Sequence, residues 1–250
     1  MENWWAQTGH GVRFDWGPVG AARLAQDVGC LVVVDVLSFT TSVTVAVEKG
    51  TLVHPYPWRD ESARVFADRL SADLAVGRSA ATPTSPWSLS PAALRRAPFT
   101  PRLVLPSPNG STIAAAAGAS TVVAGSLRNA DAVGRWLAGR GYGTPGRPVA
   151  VIASGERWPD GSLRPALEDL LGAGAVIASL RTHGRDLLSP EAAMAAAAFA
   201  GTAEIAGAVS HSASGRELVD GGYADDVAVA TETDACTVVP VLTDGAFTAA

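Results

Sequence analysis

At 250 residues and 48% hydrophobic content, the chain can bury one large core or two small ones and needs no disulfide or metal staples. A net charge of −5, with only 19 Lys plus Arg scattered along the sequence, excludes a basic footprint for nucleic acid or an anionic membrane. Two cysteines, Cys30 and Cys236, make neither a disulfide framework nor a zinc set, which suits a reducing cytosol.

The opening segment, MENWWAQTGHGVRFDW, has no basic region followed by an apolar stretch, so no secretory signal is expected. The first strong element is LVVVDVLSFTTS, residues 31–42. Its valine-rich start has the composition of a strand covered on both faces. Asp35 follows, and a carboxylate at the end of such a strand needs solvent, a cation or a cluster of donors. Ser38, Thr40, Thr41 and Ser42 come next, then VTVAVEKG, with Gly50 placed as a helix stop. The order is strand, acid, polar turn, helix. In open α/β sheets that turn lies in the ligand crevice, where a helix N-terminus can face an anion. A cap by Ser38 or Thr40 beside a solvated aspartate is the plainer alternative.

ATPTSPWSLSPAALRRAPFTP, residues 81–101, is dense in Pro, Ser and Thr and predicts a long surface loop, a candidate lid. The strand, turn and helix pattern then returns in RLVLPSPNGSTIAAAAGASTVVAGS, residues 102–126, with Gly118 as its closing glycine. Two prolines stiffen the approach to Asn109 and Gly110, and Ser111 and Thr112 open an alanine-rich helix. Such a turn can offer N–H groups and hydroxyls to a phosphate while glycine admits close approach. Ser126 and Asn129 form a third polar strand end. In GRGYGTPGRP, residues 139–148, Gly141, Gly143 and Gly146 fit the letters of a dinucleotide fingerprint but follow a helix and lead into a strand, so they predict a turn.

The third unit is VAVIASGERW followed by PALEDLLGAGAVIASL. Glu156 comes just after its strand, and Glu168 and Asp169 fall in a helix whose first turn is expected to hold Pro165. Neighbours on a helix point about 100° apart, so one of the pair is expected to face the site and the other to cap or meet solvent. The Ala-rich run from Glu191 to Val209 predicts a packed helix and no membrane span. Asp225, Asp226 and Asp234 add oxygen donors near the C-terminus. The chain has no G-x-x-x-x-G-K-S/T loop and no G-x-S-x-G elbow, and His10, His54, His183 and His211 lack zinc-site spacing. The remaining chemistry is that of hard oxygen ligands, which suits Mg²⁺ with waters and a substrate phosphate.

In that order, VVVDVLSFTTS, SPNGST, AGSLRN, ALEDLLGAGA and SASGRELVDGGYADDVAVATETDACTVVPVL resemble the 2-phosphosulfolactate phosphatase family of coenzyme M biosynthesis, from Val33 to Leu242. The resemblance implies a three-layer α/β/α fold and a Mg²⁺-dependent phosphatase that releases sulfolactate and phosphate from the ester of a 2-hydroxy acid. Family members typically carry an arginine after D-V-L and a threonine pair before N-G; this chain has Ser38 and Ser107 there. Lys49, Arg78, Arg128 and Arg157 are the cations that could substitute.

The expectation is one α/β domain over residues 1–250, with a largely parallel or mixed central sheet built from repeated strand-turn-helix units. It acts on a small anionic phosphoester in the cytoplasm, with no nucleic-acid or membrane partner, and homo-oligomerisation is left open. Asp35 is the first choice for metal ligand or nucleophile, and Glu168 or Asp169 for general acid/base, with Asp169 the second metal ligand. Thr40, Thr41, Asn109, Gly110, Ser111 and Ser126 are the candidate phosphate cradle, positioning being most of what phosphoryl transfer requires. The alternative is a non-catalytic small-anion-binding or regulatory protein on the same fold.

Overall fold

The structure, a computed structural model, describes residues 3–58, 60–116 and 120–250. Strand β1 (Val12–Trp16) leads to helix α1 (Gly17–Leu24), then β2 (Cys30–Val34), α2 (Phe39–Glu48) and β3 (Leu52–Tyr56). Helix α3 (Glu61–Leu70) and the short β4 (Asp73–Leu74) precede α4 (Pro91–Arg96), β5 (Arg102–Pro106), α5 (Gly110–Ala116) and β6 (Thr121–Gly125). Next come α6 (Ala130–Gly139), β7 (Val149–Ala153), a hairpin of β8 (Glu156–Arg157) and β9 (Leu163–Arg164), and α7 (Leu167–Thr182). The chain closes with α8 (Pro190–Gly201), α9 (Ile205–His211), α10 (Ala213–Asp220), α11 (Ala224–Ala230), β10 (Pro240–Thr243) and β11 (Ala246–Ala249).

Nine strands form one sheet in the order β1-β7-β2-β6-β10-β11-β3-β5-β4. Both flanks, β1-β7-β2-β6 and β3-β5-β4, are parallel, and the β10–β11 hairpin joins them through antiparallel pairs. The sheet is therefore mixed. Its period of two is visible in β2: Cys30, Val32 and Val34 enter a core with α6, α7 and α8, while Leu31 and Val33 enter a second core with α1, α2, α4 and α5. Two covered faces make the three-layer α/β/α arrangement.

Helix α2 is buried from Phe39 to Val47 although it carries Thr40, Thr41, Ser42 and Thr44, and the three threonine hydroxyls donate to nearby backbone carbonyls. It touches β3, β6, β10 and β11, so the sheet curls around it. Lys49 caps its end and Gly50 follows at φ +86°, as the sequence predicts.

Several expectations are corrected. The segment 81–101 is not irregular throughout: Ser90 caps α4 by accepting from the N–H of Ala93, and Leu89, Ala92 and Leu94 are buried. The Ala-rich run breaks into α8 and α9, bent by 104°, and among the described residues no single helix is long and apolar enough to cross a membrane. Pro165 stands outside α7, which begins at Leu167. Gly118, the expected closing glycine of the second unit, lies outside the described residues.

Candidate active site

Asp35 is 6% exposed and both its carboxylate oxygens accept backbone N–H groups. Phe39, the first residue of α2, donates to Oδ1 at 3.0 Å, and Gly110, the first residue of α5, donates to Oδ2 at 3.0 Å. The acid thus occupies the two helix starts that the sequence offered to a phosphate, where the helix dipoles favour negative charge. Thr40 locks the turn, its Oγ1 accepting from the Asp35 N–H at 3.0 Å and donating to the Asp35 carbonyl at 2.8 Å. Thr41 donates to the Val36 carbonyl. Both threonines are fully buried, so they shape the turn rather than line a cradle.

Strands β2 and β5 stand five places apart in the sheet, which in a flat sheet would separate them by about 24 Å. The Asp35–Gly110 bond is made because the sheet curls around α2. Gly110 is required for a packing reason: a β-carbon there would overlap the buried Phe39 ring and come within 2.9 Å of Asp35 Oδ2. Its φ is not positive. With the N–H spent on Asp35, the expected phosphate approach at this glycine is replaced by a helix-to-acid contact.

The strand ends enclose a cavity of about 320 Å³, lined by Asp35, Leu37, Ser38, Leu89, Ser107, Pro108 and Asn109, by Glu156 and Arg157 of the β8–β9 hairpin, and by Arg78. Asn109 donates through Nδ2 to Glu156 Oε2 at 3.1 Å. Glu156 is pushed up to about 7, first by burial and then by the charges of Asp35 and Glu168. Of the four cations considered for the place of an arginine at 38, two reach this wall. Arg78 donates through Nη2 to Ser38 Oγ at 2.5 Å, while Arg157 donates to the Gly161 carbonyl of its own hairpin. Lys49 binds the carbonyls of Leu94, Arg95 and Ala97, and Arg128 pairs with Glu48 and Glu232, away from the cavity.

Asp169 is 3% exposed and does not line the cavity. Its Oδ1 accepts from the Val36 N–H at 2.7 Å and its Oδ2 from the Gly155 N–H at 2.8 Å, tying the ends of β2 and β7 together. Burial, with Glu168 and then Asp35 nearby, holds its carboxyl well above the usual carboxylate range. Glu168 is buried too and accepts from Ser212 Oγ at 3.3 Å. Neither residue of the pair caps or meets solvent, contrary to the helical-wheel expectation. Ser126 is fully buried and caps its own turn, donating to Asn129 Oδ1 at 3.1 Å, so the third strand end stays outside the site. Ser111 is buried with an unpartnered hydroxyl and lies off the cavity wall. Asp225 pairs with Arg96 on the surface, and Asp234 accepts from the Asp131 N–H.

Glu156 and Arg78 are the two residues that sequence reasoning ranked too low. Glu156 had a signature like that of Asp35, an acid just after a buried strand, with Asp35 following β2 directly and Glu156 coming three residues after the end of β7. Arg78 had no local signature, because its partners, Ser38 and Asp226, are distant in the chain. Among the described residues no group of three or more His, Cys, Asp or Glu side chains could hold a metal ion. Two carboxylates, Asp35 and Glu156, do share the cavity wall with neutral oxygens, and magnesium is commonly held by one or two carboxylates plus substrate phosphate and water. The donor set on the wall fits that mode.

The sequence model of the 2-phosphosulpholactate phosphatase family matches residues 20–245 of the chain. No curated protein matches it significantly.

Proposed function

The chain belongs to the 2-phosphosulpholactate phosphatase family, a family of phosphoric monoester hydrolases, and from that premise we propose that it is a Mg²⁺-dependent phosphatase whose substrate sits in the cavity at the strand ends. The cavity carries this reading, because it gathers Asp35, Asn109 and Glu156 from the ends of three separate strands and is of a size for a small molecule. Asp35 and Glu156 would hold the magnesium ion. Once bound, the ion would supply positive charge to the phosphoryl oxygens. Asp35 is kept in one orientation by its two N–H partners, so the site meets substrate without rearranging. Asn109 Nδ2 and the Ser38 and Ser107 hydroxyls are neutral donors for the phosphoryl group. Leu37, Leu89 and Pro108 are apolar residues of the wall. Residues 1–250 act as one catalytic unit on this reading, since the wall draws on segments from Asp35 to Arg157.

Phosphate release from 2-phospho-3-sulfolactate, followed with added Mg²⁺ and then with a chelator, tests this. We expect turnover with the metal and its loss on chelation. Full turnover in metal-free buffer overturns the magnesium assignment, and tight binding of the ester without release overturns the hydrolytic one.

A further inference from the structure

The cavity wall carries charges of both signs: Asp35 and Glu156 are its acids, and the positive charges among its lining residues are Arg78 and Arg157. These two are not equivalent. Arg157 is exposed and bound to the turn of its own hairpin. Arg78 has a side chain only 18% exposed and is held from three directions. Its Nε donates to Asp226 Oδ2 at 2.8 Å, its Nη2 to Ser38 Oγ, and its guanidinium lies 5.6 Å from the centre of the Tyr223 ring.

Asp226 is itself 1% exposed, and its other oxygen accepts from Ser90 Oγ and from the Ala92 N–H at 3.2 Å. The backbone before Arg78 is also fixed, since Val76 pairs with Ser88 across the excursion. One buried aspartate on α11 therefore holds Arg78 itself and the Ser90–Ala92 end of the segment that carries it, while the Val76–Ser88 pairing closes that segment. A guanidinium has more N–H donors than Asp226 and Ser38 use, so it can bind a further anion while keeping both partners.

We propose that Arg78 is the specificity-determining residue of the site, binding a second anionic group of the phosphoester, a carboxylate or sulfonate, with Asp226 as the residue that positions it. This rests on the assignment of the phosphoryl group to Asp35 and Glu156 through the magnesium ion they would hold. An ester that is anionic only at phosphorus would leave the spare N–H donors of Arg78 unused, whereas one with a second anion within their reach would use them.

The experiment compares 2-phospho-3-sulfolactate with phenyl phosphate, which lacks the second anion, in wild type, R78Q, R78K, D226N and R157Q. Thermal melting of each variant establishes that it is folded. In R78Q the preference for the sulfolactate ester, as a ratio of kcat/KM values, is expected to fall about thirtyfold through KM, the loss of one charge-assisted contact. R78K, which keeps the charge without the planar fork, should recover part of that preference and serves if R78Q does not fold. D226N should raise KM for the sulfolactate ester while holding kcat. An equal fall in kcat on both esters makes Asp226 merely structural and overturns its positioning role.

Equal losses on both esters in R78Q, or a collapse of preference in R157Q instead, overturn the assignment of Arg78. Calorimetry with 3-sulfolactate, which has no phosphoryl group, provides an arm independent of turnover. Binding about thirtyfold weaker in R78Q than in wild type supports the proposal, and unchanged binding, or none in wild type, overturns it. A wild-type protein that hydrolyses neither ester defeats the phosphatase reading, while this binding arm still judges Arg78.

Discussion

Replacing Asp35 with Asn turns one hydrogen-bond acceptor into a donor that must face the N–H of either Phe39 or Gly110. The buried N–H left unpaired costs about 1–3 kcal/mol, so Asp35→Asn should melt earlier as well as lose turnover by about a hundredfold or more. Paired melting and rate measurements check this; an unchanged melting temperature would show that the two N–H contacts contribute nothing. Glu156 gives a pH signature. Its carboxyl lies at about 7 in the fold against an ordinary 4.5. Below the lower value both folded and unfolded chains carry the proton. As pH rises from there through 7 the unfolded chain releases its proton first, and the fold loses about 3 kcal/mol. In chelator-treated buffer, Glu156→Gln should therefore raise the melting temperature at pH 8 and leave it nearly unchanged at pH 4. A gain of equal size at both pH values would mean that charge is not the cause.

At the scale of elements, the starts of α2 and α5 are held against each other by one carboxylate and by the close fit of Gly110 on the Phe39 ring. Gly110→Ala forces that ring or the α5 start to move, and overpacking of this kind costs about 1–3 kcal/mol. Thermal unfolding should fall accordingly, and inhibition by inorganic phosphate should change less than stability does. A selective loss of phosphate inhibition with normal melting would return this glycine to the ligand site. The clamp by Asp169 works in the same way between β2 and β7, where two strand-end N–H groups find their partner on a helix that follows both strands.

For the whole molecule, the C-terminal hairpin decides the shape of the site. Strands β10 and β11 join two parallel flanks, and Phe247 of β11, fully buried, packs edge-on against Phe39 with ring centres 6.2 Å apart. Phe39 is the residue whose N–H holds Asp35. Phe247→Ala should thus cost about 3–5 kcal/mol, lowering the melting temperature by about ten degrees. It should also slow turnover at temperatures where the variant is still folded. Turnover at the wild-type rate in a destabilised variant would separate the hairpin from the chemistry.

The chain by itself determined the covered strands, the position of Asp35 at a strand end, the glycine stop of α2 and the repeated strand-turn-helix units, because these follow from local composition and period. It also carried the family resemblance, which depends on the order of motifs along the chain. Tertiary structure alone decided how the polar residues divide. Thr40, Thr41 and Ser126 went to turns and caps, since each finds a backbone or side-chain partner within five residues. Asp169 went to a strand clamp, and Glu156 and Arg78 came to the cavity. No local pattern separates a buried carboxylate that binds backbone from one that lines a cavity. The difference lies in which distant N–H groups the curled sheet brings to it, and that curl depends on a hairpin more than two hundred residues after Asp35.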